Sequence, residues 1–525
     1  MKKYLIIIIL IAISFLSACL FLYKLNSSPP FLNADEATNA YDAYSILKTG
    51  KDQYGNFLPL RFQSFGDYKL PLLTYLAIPW IKFFGLNELS IRLVNLPFVF
   101  LFPIIIYLLI KELFNNKAIS IIASFLSAFS PGLQLLGRQA HEGYMTAFFL
   151  ACCFYLILKF IKTNRFYYYL SFIICYLFSL LGYHSSRLWA GFIILFLIYL
   201  VFKKKLKIIY FTGIIIVALF FIYTDIKYSP TRIQNLLFFK TSGFSSKLYE
   251  LKIESPIPFI HNFLSLSVKE LVNSYLVYFS PEFLVLKGDD NIRFGFLGVS
   301  PITPIEYFFI FIGLYFLFKN KEKWRYLILA MILFSPISGA LSWAKQSLTR
   351  TIFIFIPLIA TISYGFFHFL NKKNYLYHLI IIFFYLMFLF YSWEFYLFHY
   401  PKKALVIRSW QAGYKELANY IKENYNNFDK FYITKKNGQP YIFLLFYLKY
   451  PPEKFQKQAK TTNPDEYGFT QINEFDKFYF DVWPIKEKTK YAVIGYPDDF
   501  DLEKEKNLKE IKIGTEKIFL IKEVK

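Results

Sequence analysis

The apolar residues of this 525-residue chain fall in long unbroken runs, not in alternation with polar ones. A segment needs about 20 mostly apolar residues to cross the hydrocarbon core of a bilayer. Only helices satisfy their backbone polar groups in lipid without closing a barrel, so continuous apolarity predicts helices. Eleven such runs occur, at roughly 4–23, 91–110, 118–136, 144–161, 166–184, 188–202, 208–224, 303–318, 326–342, 351–370 and 375–396. A further apolar stretch, Leu72 to Phe84, is short of a span and contains Pro79. It reads as a helix lying at the membrane surface. Two long segments, 24–90 and 225–302, mix apolar and polar residues with Pro and Gly. The pattern changes near residue 400. Residues 411–425 are helical in pattern, and short strand-like runs follow at 430–434 and 491–495. The expected architecture is a polytopic α-helical membrane domain, 1–400, with about 11 transmembrane helices. A small soluble α/β domain, 401–525, follows it.

Composition supports the membrane reading. Hydrophobic residues make up 56% of the chain and charged ones 18%. A typical soluble domain carries about 25% charged residues. A cytosolic enzyme, a disordered chain and a small disulfide scaffold are excluded. The net charge of +23 raises the question of nucleic acid, but its placement answers it. With the N-terminus in the cytoplasm, the inside segments carry Lys2, Lys3, Lys111, Lys117, Lys159, Lys162, Arg165, Lys203, Lys204, Lys205, Lys207, Lys319, Lys321, Lys323, Arg325, Lys372 and Lys373. Only Glu112 and Glu322 oppose them there. Cytoplasmic loops are enriched in Lys and Arg, so much of the excess charge is a topology signal. Eleven spans place the C-terminal domain outside, with both long loops, on a plasma-membrane protein. The opening Lys2-Lys3, apolar run and Leu16-Ser-Ala-Cys19 resemble a lipoprotein signal. The apolar run continues through Leu22 and ten more follow, so a retained first span is expected. The four cysteines lie in apolar runs with no metal or disulfide spacing.

Candidate chemistry lies on the outer face. Asp35-Glu36 opens the first outer loop in Phe31-Leu-Asn-Ala-Asp-Glu-Ala37. Adjacent carboxylates repel, which suits one of them to a general base. The plainer reading is an acidic first helical turn capped by Asn33. Lys69, in Gly66-Asp-Tyr-Lys-Leu-Pro71, is a point charge suited to a phosphate, or a Lys snorkelling from a helix end. Short outer loops hold Arg138 and Glu142, then Arg187, then Lys345 and Arg350. Positive charge is disfavoured on that side by topology, so these cations need partners. Arg138 and Glu142, four apart, can pair on a helix face; an anionic lipid phosphate is the functional alternative. Arg293, in Lys287-Gly-Asp-Asp-Asn-Ile-Arg293, lies in a turn sequence and on the same side. A carboxylate that deprotonates an acceptor hydroxyl, with cations on a departing phosphate, suits a phosphate-linked donor. No Walker loop, nucleophile elbow or zinc signature is present. The sequence assigns no metal, and a divalent ion stays open. A transporter or lipid flippase is the rival class. It calls for charges at mid-span, whereas those here sit at span ends.

The order of these features resembles a known family. A first apolar span is followed by Asp35-Glu36, then Tyr68-Lys69-Leu-Pro71. Next come Phe84-Gly85-Leu-Asn-Glu-Leu-Ser-Ile-Arg92-Leu, Arg138 and Glu142, and Ser335-Pro336, Arg350 and Pro357. This is similar to the membrane glycosyltransferases of the GT-C class, family 39 type, which include protein O-mannosyltransferases and lipid A aminoarabinose transferases. The likeness covers residues 1–400. It implies sugar transfer from a polyprenyl-phosphate carrier to an acceptor hydroxyl outside the cytoplasm. By that resemblance Asp35 is the catalytic base, with Glu36 beside it and Glu142 as a second acidic residue. Lys69 binds the polyprenyl phosphate, with Arg138 and Arg187 as helpers. The Trp-Trp-Asp-Tyr-Gly signature of the oligosaccharyltransferase branch is absent. The tail stretch Arg408-Ser-Trp-Gln-Ala-Gly-Tyr-Lys415 is outside the family pattern, which leaves the acceptor open.

Overall fold

A computed structural model describes residues 2–65, 67–228, 237–371, 374–463, 470–480, 488–505 and 507–524. Lys372 and Lys373, counted above among the inside charges, lie outside these, as does Gly66. The chain divides into two compact units. One comprises Met1–Tyr23 and Asn95–Leu397, the other Lys24–Val94 and Phe398–Lys525.

The first unit is helical. Each of the eleven apolar runs contains helix, beginning with α1 (Lys2–Leu22). The helix ends are marked by sequence. Asn116 accepts from the amides of Ala118 and Ile119 to start Lys117–Phe129. Asn115 and Asn164 close the helices before them in left-handed conformation, φ 50° and 52°, which Asn tolerates better than most side chains. Thr303 and Glu306 form a capping box at Pro304–Lys319. That helix packs tightly on Phe355–Leu370, where Phe309 stacks on Phe366 at 3.9 Å. A Cβ at Gly365 would come within 2.6 Å of the Phe309 carbonyl, so the contact needs glycine there. Large apolar side chains such as Leu5, Ile8, Phe15, Phe383 and Phe390 are exposed. On a soluble protein such faces would be unfavourable; on a membrane helix they face lipid.

Six helices among the described residues are long and apolar enough to cross a membrane, or seven if the bent pair Lys117–Phe129 and Pro131–Gly137 is one span. The expectation of eleven is therefore met in helices but not in full-length spans. Phe166–Gly182 and Ser186–Phe202 have 17 residues each, and Pro304–Lys319 has 16. At 1.5 Å per residue these reach about 25 Å, short of the ~30 Å hydrocarbon thickness.

The second unit joins residues 24–94 to the tail, whereas the sequence pattern groups 24–90 with the membrane domain. Helix α2 (Ala34–Thr49) explains the grouping. It is polar in average composition yet largely buried. Its Tyr41 hydroxyl donates to the Tyr450 carbonyl at 2.8 Å, and the ring meets Phe455 edge-on. Tyr54 and Tyr441 hydroxyls are 3.2 Å apart, and Tyr447 donates to Glu88 at 2.7 Å. A short hairpin, β1 (Phe62–Ser64) and β2 (Asp67–Lys69), leads into α3 (Leu72–Phe84). The tail forms a mixed sheet of β3 (Lys430–Ile433), β4 (Lys460–Thr461), β5 (Ile472–Phe475), β6 (Phe478–Phe480), β7 (Tyr491–Gly495), β8 (Lys509–Ile513) and β9 (Glu516–Val524). The order is β4-β5-β6-β3-β7-β9-β8, with β3 parallel to both β6 and β7. The helix expected at 411–425 is observed as Tyr414–Asn424.

Candidate functional site

The start of α2 carries the two adjacent carboxylates, and their fates diverge. Asn33 is the N-cap: its side chain accepts from the Glu36 amide at 2.9 Å, while the Glu36 carboxylate accepts from the Asn33 amide at 3.1 Å. This is the reciprocal capping box that acidic and amide side chains form at helix starts. Glu36 is also paired with Arg92, Nε to Oε1 at 3.4 Å, with both side chains 1% exposed. The other guanidinium nitrogens of Arg92 donate to the carbonyls of Leu25 (2.9 Å), Pro29 (3.0 Å) and Phe31 (2.6 Å). Glu36 and Arg92 thus pin the incoming chain to the first turn of α2. Glu36 is turned into the protein, and its geometry is that of a structural anchor.

Asp35, one position earlier, faces out. Its side chain is 58% exposed and forms an ion pair with Lys69 at 2.9 Å. Lys69 also donates to the Asp35 carbonyl at 3.2 Å. The lysine is delivered by β2, at the end of the hairpin whose register pairs Phe62 with Lys69. Its ammonium lies 5.7 Å from the centre of the Phe65 ring. The arrangement places a solvent-accessible carboxylate against an ammonium at a helix N-terminus, where backbone amides favour negative charge. Beneath it, Asp42 is buried and accepts from the amide and side chain of Gln53 at 3.0 and 3.3 Å. Burial, with the neighbouring Asp52 charge, pushes the Asp42 carboxyl well above the usual carboxylate range.

The remaining candidates belong to the helical unit. Arg138 is fully buried, and its guanidinium donates to the carbonyls of Leu20 (2.7 Å), Phe21 (2.6 Å) and Tyr23 (2.8 Å). These are groups at the C-terminal end of α1, which have no intrahelical partner and carry the negative end of the helix dipole. The misplaced charge of Arg138 therefore has a structural partner that sequence spacing did not suggest. Arg187 forms a forked pair with Asp225, at 2.7 and 3.3 Å, and also donates to the Leu180 carbonyl. Glu142 is half-buried at the first position of Glu142–Thr163, behind the N-cap His141. Arg293 is half-buried against Phe294, and its carbonyl accepts from Gln139 at 2.6 Å. Arg350 lies 5.4 Å from the Trp343 ring. Its Nη1 is buried with no hydrogen-bond partner among the described residues. Asp289 accepts from the amides of Asn291 (2.8 Å) and Leu348 (2.6 Å). Burial raises its carboxyl to about 6. Lys345 pairs with Glu270, which also holds Lys247.

Among the expected site residues, the structure brings Asp35 and Lys69 together and gives Glu36, Arg138 and Arg187 structural partners. Two further residues complete these contacts, Arg92 on Glu36 and Asp225 on Arg187. The signal for Arg92 is a cation at the start of an apolar run, on the side that the sequence pattern predicts to be the outer one. Among the described residues, no group of three or more His, Cys, Asp or Glu side chains is placed to hold a metal ion.

Residues 69–226 match the model of a family described as dolichyl-phosphate-mannose-protein mannosyltransferase. No curated protein matches the chain in sequence. Among solved structures, the chain is similar to ArnT from Cupriavidus metallidurans bound to undecaprenyl phosphate. The TM-score is 0.54 at 10% identity, covering 98% of this chain and 97% of that one. The apo state of the same protein gives 0.56 at 11% identity, covering 99% and 98%. At such identities the likeness speaks for the fold. The chain therefore has a fold similar to that of ArnT and matches, over residues 69–226, the sequence model of that mannosyltransferase family.

Proposed function

We propose that this protein is an inverting membrane glycosyltransferase of the plasma membrane, with its N-terminus inside and the tail outside. It moves a sugar from a polyprenyl-phosphate carrier to an acceptor hydroxyl on the outer face. The observation that carries the reading is the exposed Asp35 carboxylate 2.9 Å from Lys69. Asp35 takes the proton of the acceptor hydroxyl, and that oxygen attacks the anomeric carbon. The bond from this carbon to the phosphate oxygen breaks, and the electron pair leaves with the polyprenyl phosphate. The Lys69 ammonium stabilises the charge that develops there. The ion pair holds the two groups within one hydrogen bond of each other. A donor phosphate that displaces Asp35 from Lys69 brings its sugar beside the base. Glu142, Arg293 and Arg350 remain candidate charged residues of the helical unit from the charge pattern of the sequence, with Glu142 also supported by the family resemblance. Arg138 and Arg187 are assigned to the scaffold, because their donors are used on the protein itself.

The test is incubation of the purified protein with a panel of labelled undecaprenyl- and dolichyl-phosphate sugars, followed by product identification. Release of free polyprenyl phosphate with inversion at the anomeric carbon supports the reading. Transport of the lipid across reconstituted vesicles without cleavage of any donor overturns it.

A further inference from the structure

The tail stretch Arg408–Lys415 has no place in the family pattern, yet it reaches Ala34, the residue before the candidate base. Gln411 has left-handed backbone, φ 51°. Its neighbours are firmly held. Trp410 donates to the Tyr400 hydroxyl at 2.7 Å, and Tyr414 stacks on Phe443 at 4.3 Å. The side-chain amide of Gln411 bridges two elements. Its Oε1 accepts from the Ala34 amide at 3.0 Å, and its Nε2 donates to the Asn437 carbonyl at 3.0 Å.

Ala34 is the first residue of α2. First-turn amides of a helix have no partner within the helix. Asn33 takes that of Glu36, and Gln411 takes that of Ala34. On the other side, Lys69 holds the carbonyl of Asp35. The backbone that aims the Asp35 carboxylate is thus fixed by Gln411 before it and Lys69 after it. Asn437 lies in the loop after β3, the strand at the centre of the parallel pairings. Its neighbour Gly438, φ 146°, is positioned so that any Cβ would run into the Gln411 amide nitrogen. A substitution at 438 therefore displaces Gln411 without altering it.

We infer that Gln411 is a positioning residue: it ties the sheet of the tail to the first turn of α2 and so fixes the direction of Asp35. The inference rests on the reading of Asp35 as the base. It gives the tail a role in turnover, apart from any role in binding the acceptor.

The experiment uses the full-length protein in detergent. It measures release of polyprenyl phosphate from labelled undecaprenyl-phosphoryl sugars well below each variant's melting temperature. Misplacing a catalytic group by an ångström or less costs on the order of 10- to 100-fold in rate. Gln411→Ala should lower kcat about tenfold or more and leave the donor KM within about twofold. Gly438→Ala should reproduce this loss, and the double variant should be no slower than the worse single one, because both remove one interaction. Gln411→Glu keeps an acceptor for Ala34 but adds negative charge beside Asp35. It should move the acidic limb of the kcat profile to higher pH, which loss of a merely structural contact would not do. Near-native kcat in Gln411→Ala, a change confined to KM, or additive losses in the double variant would overturn the inference. An Asp35→Asn arm separates the two claims. If that variant is inactive while Gln411→Ala is normal, the base stands and the positioning role fails. If Asp35→Asn turns over normally, both fail.

Discussion

The buried pair at the start of α2 makes the strongest stability prediction. Glu36→Ala removes one side of the capping box and leaves the guanidinium of Arg92, 1% exposed, without its counter-ion. Loss of a cap costs about 1 kcal/mol. Breaking a buried ion pair from one side costs about 3–5 kcal/mol, because the other charge stays buried. The sum is about 4–6 kcal/mol. In a unit of about 200 residues, each kcal/mol lowers the melting temperature by about 2–4 °C, so the expected drop is about 10–20 °C. Arg92→Leu should cost a similar amount, since it strands the Leu25, Pro29 and Phe31 carbonyls as well as Glu36. The double variant leaves no buried charge and should be more stable than the sum of the single effects implies, by about 2–3 kcal/mol. Tryptophan fluorescence during thermal unfolding in detergent follows this directly, because Trp410 is buried in the same unit. Drops below about 3 °C for both single variants, or strictly additive losses, would refute the claim that Glu36 and Arg92 are a structural anchor.

Arg138→Gln should destabilise the end of α1 by about 2–4 kcal/mol, since charged hydrogen bonds to three carbonyls, that of Phe21 buried and those of Leu20 and Tyr23 partly so, are weakened. Hydrogen exchange at residues 18–24 should rise well above that of the rest of the helix. Asp289 has a carboxyl raised to about 6 by burial, so its native state binds the proton more tightly than the unfolded one. Stability should therefore fall as pH rises from about 4 to about 6, and the advantage of Asp289→Asn over the native protein should grow across that window. Melting temperatures of the two proteins between pH 4 and 8 check the sign. Lys69→Ala should weaken donor binding about tenfold or more, as loss of a charge-assisted contact to phosphate requires. Titration with undecaprenyl phosphate reads this, and unchanged affinity would remove Lys69 from the phosphate site.

The helices were legible because lipid imposes one rule on every span, and the apolar runs obey it. Their lengths as crossings were less legible, since a run of 16 or 17 residues fixes a helix but not its depth. The division into units was hidden for a different reason. Segment 24–94 and the tail are bound by long-range partners, such as Tyr41 with Tyr450 and Tyr447 with Glu88, and no local pattern announces them. In the site, the adjacency of Asp35 and Glu36 was visible, but one step along a helix turns a side chain by about 100°. That turn sends Glu36 inward to Arg92 and leaves Asp35 outside with Lys69. The cations showed that partners were needed; which partners, a forked Asp225 for Arg187 and helix carbonyls for Arg138, only the packing decides.

The central claim is that Asp35 is the base of a glycosyl transfer, and one measurement addresses it directly. Single-turnover transfer from a labelled undecaprenyl-phosphoryl sugar should fall by about 10²–10⁴ in Asp35→Asn, the range supplied by a general base, with donor affinity and melting temperature close to native. A rate within a few-fold of the native protein would contradict the account.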